Sequence, residues 1–231
     1  MSSTAAIVVA AGQGHRMGTE LAKQYLPLSS IPIVVHTLTF FENSPEIDEV
    51  VLVVKKDEVA KNRREIVEQY GFKKVRHIIG GGHERQNSVF NGLKALLPGG
   101  HLVVVHDGVR PFLTRSMLKN VIEAGRMFGA ATLATPVKET IKEVNKEGFI
   151  VNTLNREVLW SAQTPQAFHW DVLWPAMQKA MVCGFSATDE AGIVEWDGKQ
   201  VKVVNGDYDN IKITTPEDLD RAGLILERKS K

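Results

Sequence analysis

The chain has 231 residues, 43% of them apolar and 24% charged, the balance of a globular protein able to bury a large core without cross-links. With 28 Lys and Arg against 27 Asp and Glu, the net charge is +1, which excludes the strong basic excess of a non-specific nucleic-acid or anionic-membrane binder. The single cysteine, Cys183, excludes an internal disulfide or a cysteine metal cage and points to a reducing, cytoplasmic setting.

The first apolar run, Ala5–Ala10, is short and has no basic segment before it, so it reads as a strand buried on both faces rather than a signal core. No stretch approaches the roughly 20 apolar residues of a membrane span. Pro32 can open a helix through Phe41. Glu49–Val54 is a second strand, and Asp57–Tyr70 a helix stopped by Gly71. Val75–Ile79 is a third strand. Val89, Leu93, Leu96 and Leu97 then mark a helix ended by Pro98-Gly99-Gly100. His101–His106 is a fourth strand, Ser116–Phe128 a helix and Ala130–Val137 a fifth strand.

The rhythm then breaks. Thr140–Val144 and Phe149–Leu154 flank Asn145-Lys146-Glu147-Gly148, the pattern of a hairpin. Helices follow at Trp170–Val182 and Thr188–Glu195, then a strand at Val201–Val204. A last helix is capped by Thr215, opened by Pro216 and boxed by Asp218. The alternation predicts an α/β fold: a Rossmann-like, mostly parallel sheet with helices on both faces, and a hairpin arm at about 138–158 projecting from one domain that spans 1–231.

Three polar clusters follow three of these strands, at the edge where open α/β sheets bind ligands. The first is Ala10-Ala11-Gly12-Gln13-Gly14-His15-Arg16-Met17. Glycines there let backbone N–H groups approach phosphate oxygens. Met17 stands where a dinucleotide fingerprint needs its third glycine, and the Gly-Lys-Ser/Thr of a P-loop is absent. A plain tight turn remains open, but Arg16 and Lys23 supply the cations a triphosphate requires. The second cluster is Gly80-Gly81-Gly82-His83-Glu84-Arg85-Gln86-Asn87-Ser88, which opens a helix. The third is His106-Asp107-Gly108-Val109-Arg110-Pro111, whose Asp107 is placed to hold Mg²⁺. His106 precedes Asp107 on a strand, so the two point to opposite faces.

These motifs, in this order, resemble those of the 2-C-methyl-D-erythritol 4-phosphate cytidylyltransferases of the non-mevalonate isoprenoid pathway. The resemblance continues through Pro136-Val137-Lys138-x-Thr140, Arg156-x-x-Leu159-Trp160, Gln163-Thr164-Pro165-Gln166, Thr188-Asp189-Glu190-Ala191 and Asp209-Asn210-Ile211-Lys212. The chain departs from the family at Ala10, often proline there, and at Gly108-Val109, often Ala-Ala; neither change removes a charged group. The resemblance implies a nucleotidyltransferase-type fold and Mg²⁺-dependent transfer of CMP from CTP to methylerythritol phosphate. It implies a CTP site of Ala10, Ala11, Gly12, Gln13, Gly14, Arg16, Lys23, Gly81, Gly82, His83, Ser88, Asp107 and Gly108, with Arg16 and Lys23 catalytic. It implies an acceptor site of Asp107, Arg110, Thr140, Arg156, Thr164 and Lys212, and metal ligation by Asp107 and Asp209. It also implies a homodimer in which the arm lends Thr140 and Arg156 to a partner's site.

Three other readings compete. A ribitol 5-phosphate cytidylyltransferase would share the CTP site and differ in the alcohol pocket. An NAD-dependent oxidoreductase is disfavoured by Met17 and by Lys55-Lys56 where an acid belongs. A binding module without catalysis is disfavoured by the intact Arg16, Lys23 and Asp107.

Overall fold

A computed structural model describes residues 3–12, 22–96 and 99–229. Its main sheet has seven strands: β1 (Thr4–Val9), β4 (Glu49–Val54), β5 (Val75–Gly80), β6 (Leu102–Asp107), β7 (Ala130–Pro136), β10 (Trp160–His169) and β11 (Lys202–Asn205). Their order is β11-β7-β10-β6-β1-β4-β5. β10 runs antiparallel to β6 and β7, and every other pairing in this sheet is parallel. A two-residue ribbon, β2 (Pro27–Leu28) with β3 (Ile31–Pro32), and the arm, β8 (Lys142–Val144) with β9 (Ile150–Thr153), pair separately.

The central strands are apolar at consecutive positions because both faces are covered. Along β1, Ala6 and Val8 face a layer formed by α1 (Ile33–Glu42), the segment from α2 (Val59–Asn62) through a π-helical turn at Arg63–Glu68, and α4 (Arg115–Phe128). Ala5 and Ile7 face α3 (Arg85–Ala95), α5 (Trp170–Cys183) and α6 (Glu190–Trp196). α7 (Pro216–Lys229) closes a third cluster over Val109, Phe112, Ile211 and Ile213. No helix among the described residues is long and apolar enough to cross a membrane.

Most expected elements form within a residue or two of their reading. Pro32 sits at the N-cap of α1 rather than inside it. Asp57–Tyr70 is not one α-helix but a 3₁₀ turn, α2 and the π-helical turn, with Gly71 at φ +68° as the stop. α6 starts two residues late, because Asp189 is its N-cap and accepts from the Gly192 N–H at 2.9 Å. The Asp218 box forms as expected: its Oδ2 accepts from the Thr214 and Thr215 N–H groups at 2.9 and 3.0 Å. Leu97 and Pro98, expected to help end α3, lie outside the described residues.

β10 is the strand that the sequence reading lacks. Its core is Gln163-Thr164-Pro165-Gln166, and a proline inside a central strand argues against strand. The chain accommodates Pro165 with a cis Thr164–Pro165 bond and a register break against β7 between Ala162 and Gln166. Its buried glutamines work as brackets. Gln166 donates to Asp189 Oδ2 at 2.8 Å and accepts from the Ala191 N–H at 3.0 Å, fixing the start of α6. Gln163 donates to the Asp207 carbonyl at 2.8 Å, and its Oε1 accepts from Asn210 at 3.2 Å, fixing the 207–212 loop.

Candidate active site

The carboxyl ends of β1, β5 and β6 open into a cleft of about 560 Å³. Of the residues expected from the sequence, Ala10, Ala11, Gly12, Lys23, Gly82, His83, Ser88, Asp107 and Lys212 line it. Gln13, Gly14 and Arg16 lie outside the described residues.

Close approach of two loops shapes one wall. A Cβ on Gly81 would lie 2.6 Å from the Ala11 methyl and 2.7 Å from Ser88 Oγ, so only glycine lets the β1 and β5 loops meet. Gly12 is different: a Cβ there meets no described residue within 4 Å, and Gly12 lines the cleft. Ser88 Oγ accepts from the Gly82 N–H and donates to the Glu84 carbonyl, both at 3.1 Å, so this hydroxyl builds the loop.

Asp107 sits at the floor among three cations. Arg85 Nε is 3.0 Å from Oδ1; Lys212 Nζ is 2.8 Å and Arg110 Nε 3.6 Å from Oδ2. Burial pushes its pKa up, but Arg85, Lys212 and Arg110 together outweigh burial and hold it well below the usual carboxylate range. Arg85 also grips Glu190, a wholly buried carboxylate, with Nη1 at 2.7 and 2.8 Å from its two oxygens. Burial pushes the Glu190 carboxyl up, and Arg85 opposes that. Among the described residues, three cations against two carboxylates leave this cluster one positive charge in excess, and the cleft wall adds Lys23 and Glu84, which balance each other. Around the cleft, Gln24 Nε2, Arg85 Nη2 and Arg110 Nε are buried donors with no hydrogen-bond acceptor among the described residues, against one unpaired acceptor, Asn210 Oδ1.

Behind the floor, Thr164 and His106 form a buried chain. Thr164 Oγ accepts from the Asp107 N–H at 3.0 Å, so its own hydrogen goes to His106 Nδ1 at 3.1 Å. That leaves the proton on Nε2, which donates to the Arg110 carbonyl at 3.1 Å. Burial pushes the His106 pKa down to about 4, so the ring is neutral at pH 7.

Several expected site residues stand elsewhere. Thr164 is buried and is not among the residues lining the cleft; its hydroxyl accepts from the Asp107 N–H behind the floor. Arg110 and Gly108 also lie just behind the wall, where Arg110 Nη1 donates to the Asn210 carbonyl at 2.7 Å. Asp209 does not join Asp107: its carboxylate pairs with Arg228 of α7. Among the described residues, no group of three His, Cys, Asp or Glu converges as a metal cage. Thr140 and Arg156 stand on the exposed arm, off the cleft of their own chain, with Arg156 Nη1 donating to the Lys138 carbonyl at 2.9 Å. Arg85 and Glu190 carry more of the site than the sequence reading assigned them. Arg85 stands in the Gly80–Ser88 cluster and Glu190 in Thr188-Asp189-Glu190-Ala191, but nothing in one dimension pairs the two.

A mostly parallel sheet that ends in glycine loops, a donor-rich cleft and a cation-clamped carboxylate is the architecture of an α/β nucleotidyltransferase. The family model for IspD, 2-C-methyl-D-erythritol 4-phosphate cytidylyltransferase, matches residues 4–228. The chain is 49% identical over 229 residues to the 2-C-methyl-D-erythritol 4-phosphate cytidylyltransferase of Pelotomaculum thermopropionicum, covering 99% of this chain and 96% of that one. It is similar to the crystal structure of 4-diphosphocytidyl-2C-methyl-D-erythritol synthase from Anaerococcus prevotii, with TM-score 0.87, 35% identity and coverage of 98% and 97%. The 2-C-methyl-D-erythritol 4-phosphate cytidylyltransferase of Thermus thermophilus aligns with TM-score 0.78 and 28% identity over 96% of this chain and 98% of that one. The chain belongs to the 2-C-methyl-D-erythritol 4-phosphate cytidylyltransferase family and is a cytidylyltransferase of the isoprenoid pathway.

Proposed function

We propose that the chain transfers CMP from CTP to 2-C-methyl-D-erythritol 4-phosphate with Mg²⁺. An acceptor phosphate oxygen attacks the α-phosphorus in line. The bond from that phosphorus to the β-phosphate bridging oxygen breaks, and pyrophosphate leaves. The observation that carries this reading is the surplus of positive charge and unmatched donors around one cleft, which calls for an anionic, acceptor-rich ligand.

The Gly12 backbone and the Lys23 ammonium suit the triphosphate, with Gln13, Gly14 and Arg16 joining them by the family match. Gly82 and His83 on the opposite wall suit the cytosine and ribose. Lys212 on the cleft wall suits the acceptor phosphate, with Arg110 adding its charge from behind that wall. That phosphate has a second pKa of about 6 and is already a nucleophile at pH 7, so no general base is needed. The task of the site is to bring two anions together and to stabilise charge on the α-phosphate and on the leaving group.

The donors fit a magnesium ion held by one protein ligand. Asp107 is ionised and would hold the ion through a lone pair left beside its contacts with Arg85 and Lys212, the remaining ligands coming from triphosphate oxygens and water. When bound, the ion neutralises triphosphate charge. Arg85 and Lys212 orient Asp107 for that role.

In this reading the chain is one nucleotidyltransferase domain whose 138–158 arm grips a second copy. Val144, Phe149, Ile150 and Val151 on the arm are more than half exposed, an apolar row that suits a protein partner. Thr140 and Arg156 then serve the partner's acceptor site. Light scattering should give a dimer at micromolar concentration; a monomer would remove the shared site. The reaction is tested by pyrophosphate release from CTP and Mg²⁺ with methylerythritol 4-phosphate and ribitol 5-phosphate offered separately. Release with the first alone is expected, and release with neither would overturn the reading.

A further inference from the structure

Tyr208 adds a side-chain tie between two segments that the β11–β7 ladder brings side by side, where the Gly206 N–H reaches the Ala134 carbonyl at 2.8 Å. Tyr208 is 40% exposed, so it contributes little to the core. Its hydroxyl donates to the Pro136 carbonyl at 2.8 Å, where β7 ends and the arm begins. The Lys138 ammonium lies over the ring, 3.5 Å from its centroid, in cation–π contact. Lys138 is also gripped from the other side, since its carbonyl accepts from Arg156 at 2.9 Å.

The backbone of Tyr208 faces the cleft's support. Its carbonyl accepts from Arg221 of α7 at 2.9 Å. Two residues on, the Asn210 carbonyl accepts from Arg110, and two further on Lys212 pairs with Asp107. The same short loop therefore carries a clasp on the arm root at one end and a cation of the cleft at the other.

We propose that Tyr208 is a positioning residue that clasps the root of the arm to the loop carrying Lys212, so that the seating of the arm sets how tightly the cleft holds the polyol phosphate. The inference rests on the proposed function for its substrate. The clasp itself rests only on contacts within the chain. Because Arg156 and Tyr208 hold opposite sides of Pro136–Lys138, an arm engaged with a second copy restrains its own Lys212. Such coupling is reciprocal, so polyol phosphate in the cleft tightens the arm's grip by the same factor.

Two variants test this. Tyr208→Phe keeps the ring under Lys138 and removes the hydroxyl; Lys138→Met keeps the chain length and removes the cation. Steady-state pyrophosphate release is measured while each substrate is varied. Loss of one net hydrogen bond corresponds to about a fivefold change. The expected result is a rise of about fivefold in KM for the polyol phosphate in each variant, with KM for CTP changed less than about twofold and a melting temperature lowered by no more than the ~2–4 °C that one net hydrogen bond is worth in a chain of this size. An unchanged KM for the polyol phosphate, or both KM values moving together with the melting temperature, would overturn the proposal. Hydrogen exchange separates this from the functional reading. In Tyr208→Phe, amides in both 136–138 and 207–212 should exchange faster, and unchanged exchange in either segment overturns the clasp whatever the substrate is. Wild-type protein that releases no pyrophosphate with any polyol phosphate overturns the functional reading alone.

Discussion

Arg85→Met is the sharpest perturbation of the site's charge balance. In the wild type, Arg85 bridges Asp107 and the fully buried Glu190. Methionine fills similar volume but leaves Glu190 without a cation, whereas Asp107 keeps Lys212 and Arg110. Removing one partner of a buried ion pair costs about 3–5 kcal/mol, or about 10 °C in Tm for a chain of this size. The cost must depend on pH. Burial already pushes the Glu190 carboxyl up in the wild type, and without Arg85 nothing comparable opposes it. A folded-state pKa above the unfolded one, near 4.3, stabilises at low pH and loses that contribution as pH rises through the folded value. At about 1.4 kcal/mol per unit, a deficit of 3–4 kcal/mol develops over two to three units. Urea denaturation followed by circular dichroism should therefore give a small deficit at pH 5 and the full one at pH 8. Adding Glu190→Gln should flatten this dependence and recover part of the stability. A deficit below about 1 kcal/mol at pH 8, or an equal deficit at both values, would refute the reasoning.

Other consequences are as direct. Lys23→Ala should slow single-turnover CMP transfer by about 10²–10³-fold, the usual effect of removing one preorganised charge, with a far smaller effect on Tm; quench-flow measurement of an unchanged rate removes its catalytic role. Gly81→Ala must push the β1 and β5 loops apart, because its methyl would sit 2.6 Å from that of Ala11; calorimetry should show CTP binding weakened about tenfold. Asp218→Ala removes the acceptor for the Thr214 and Thr215 N–H groups and should cost about 1 kcal/mol by urea denaturation. Burial raises the Asp218 pKa, but hydrogen bonds from Thr214 and Thr215 dominate and lower it. Its contribution is thus present above the ordinary Asp pKa of about 4 and lost as pH falls through the lowered value, so wild type and variant should converge in acid.

Much of the fold was legible because its local signals agree with its tertiary role. β1 and β4 are apolar runs since both faces are covered, and α7 announces itself through the Thr215–Asp218 box. β10 was not legible. Its glutamines and Pro165 look like a loop, and only a register break between two neighbouring strands lets them sit in a sheet. The π-helical turn at Arg63–Glu68 was likewise hidden under an ordinary helical pattern.

The site divides the same way. Loop chemistry is a local property, so glycines after a strand and Asp107 at a strand's end could be read in one dimension. The charge balance that makes Asp107 useful is not local: Arg85, Arg110, Lys212 and Glu190 come from four separate segments. Sequence alone determined which loops face the ligand edge and which ions they carry. Only tertiary structure decided which ions meet: it set the Thr164 hydroxyl behind Asp107 and paired Asp209 with Arg228. The physical reason is distance: Coulomb and hydrogen-bond energies depend on separations of about 3 Å, and chain spacing sets those only within a turn or a helix.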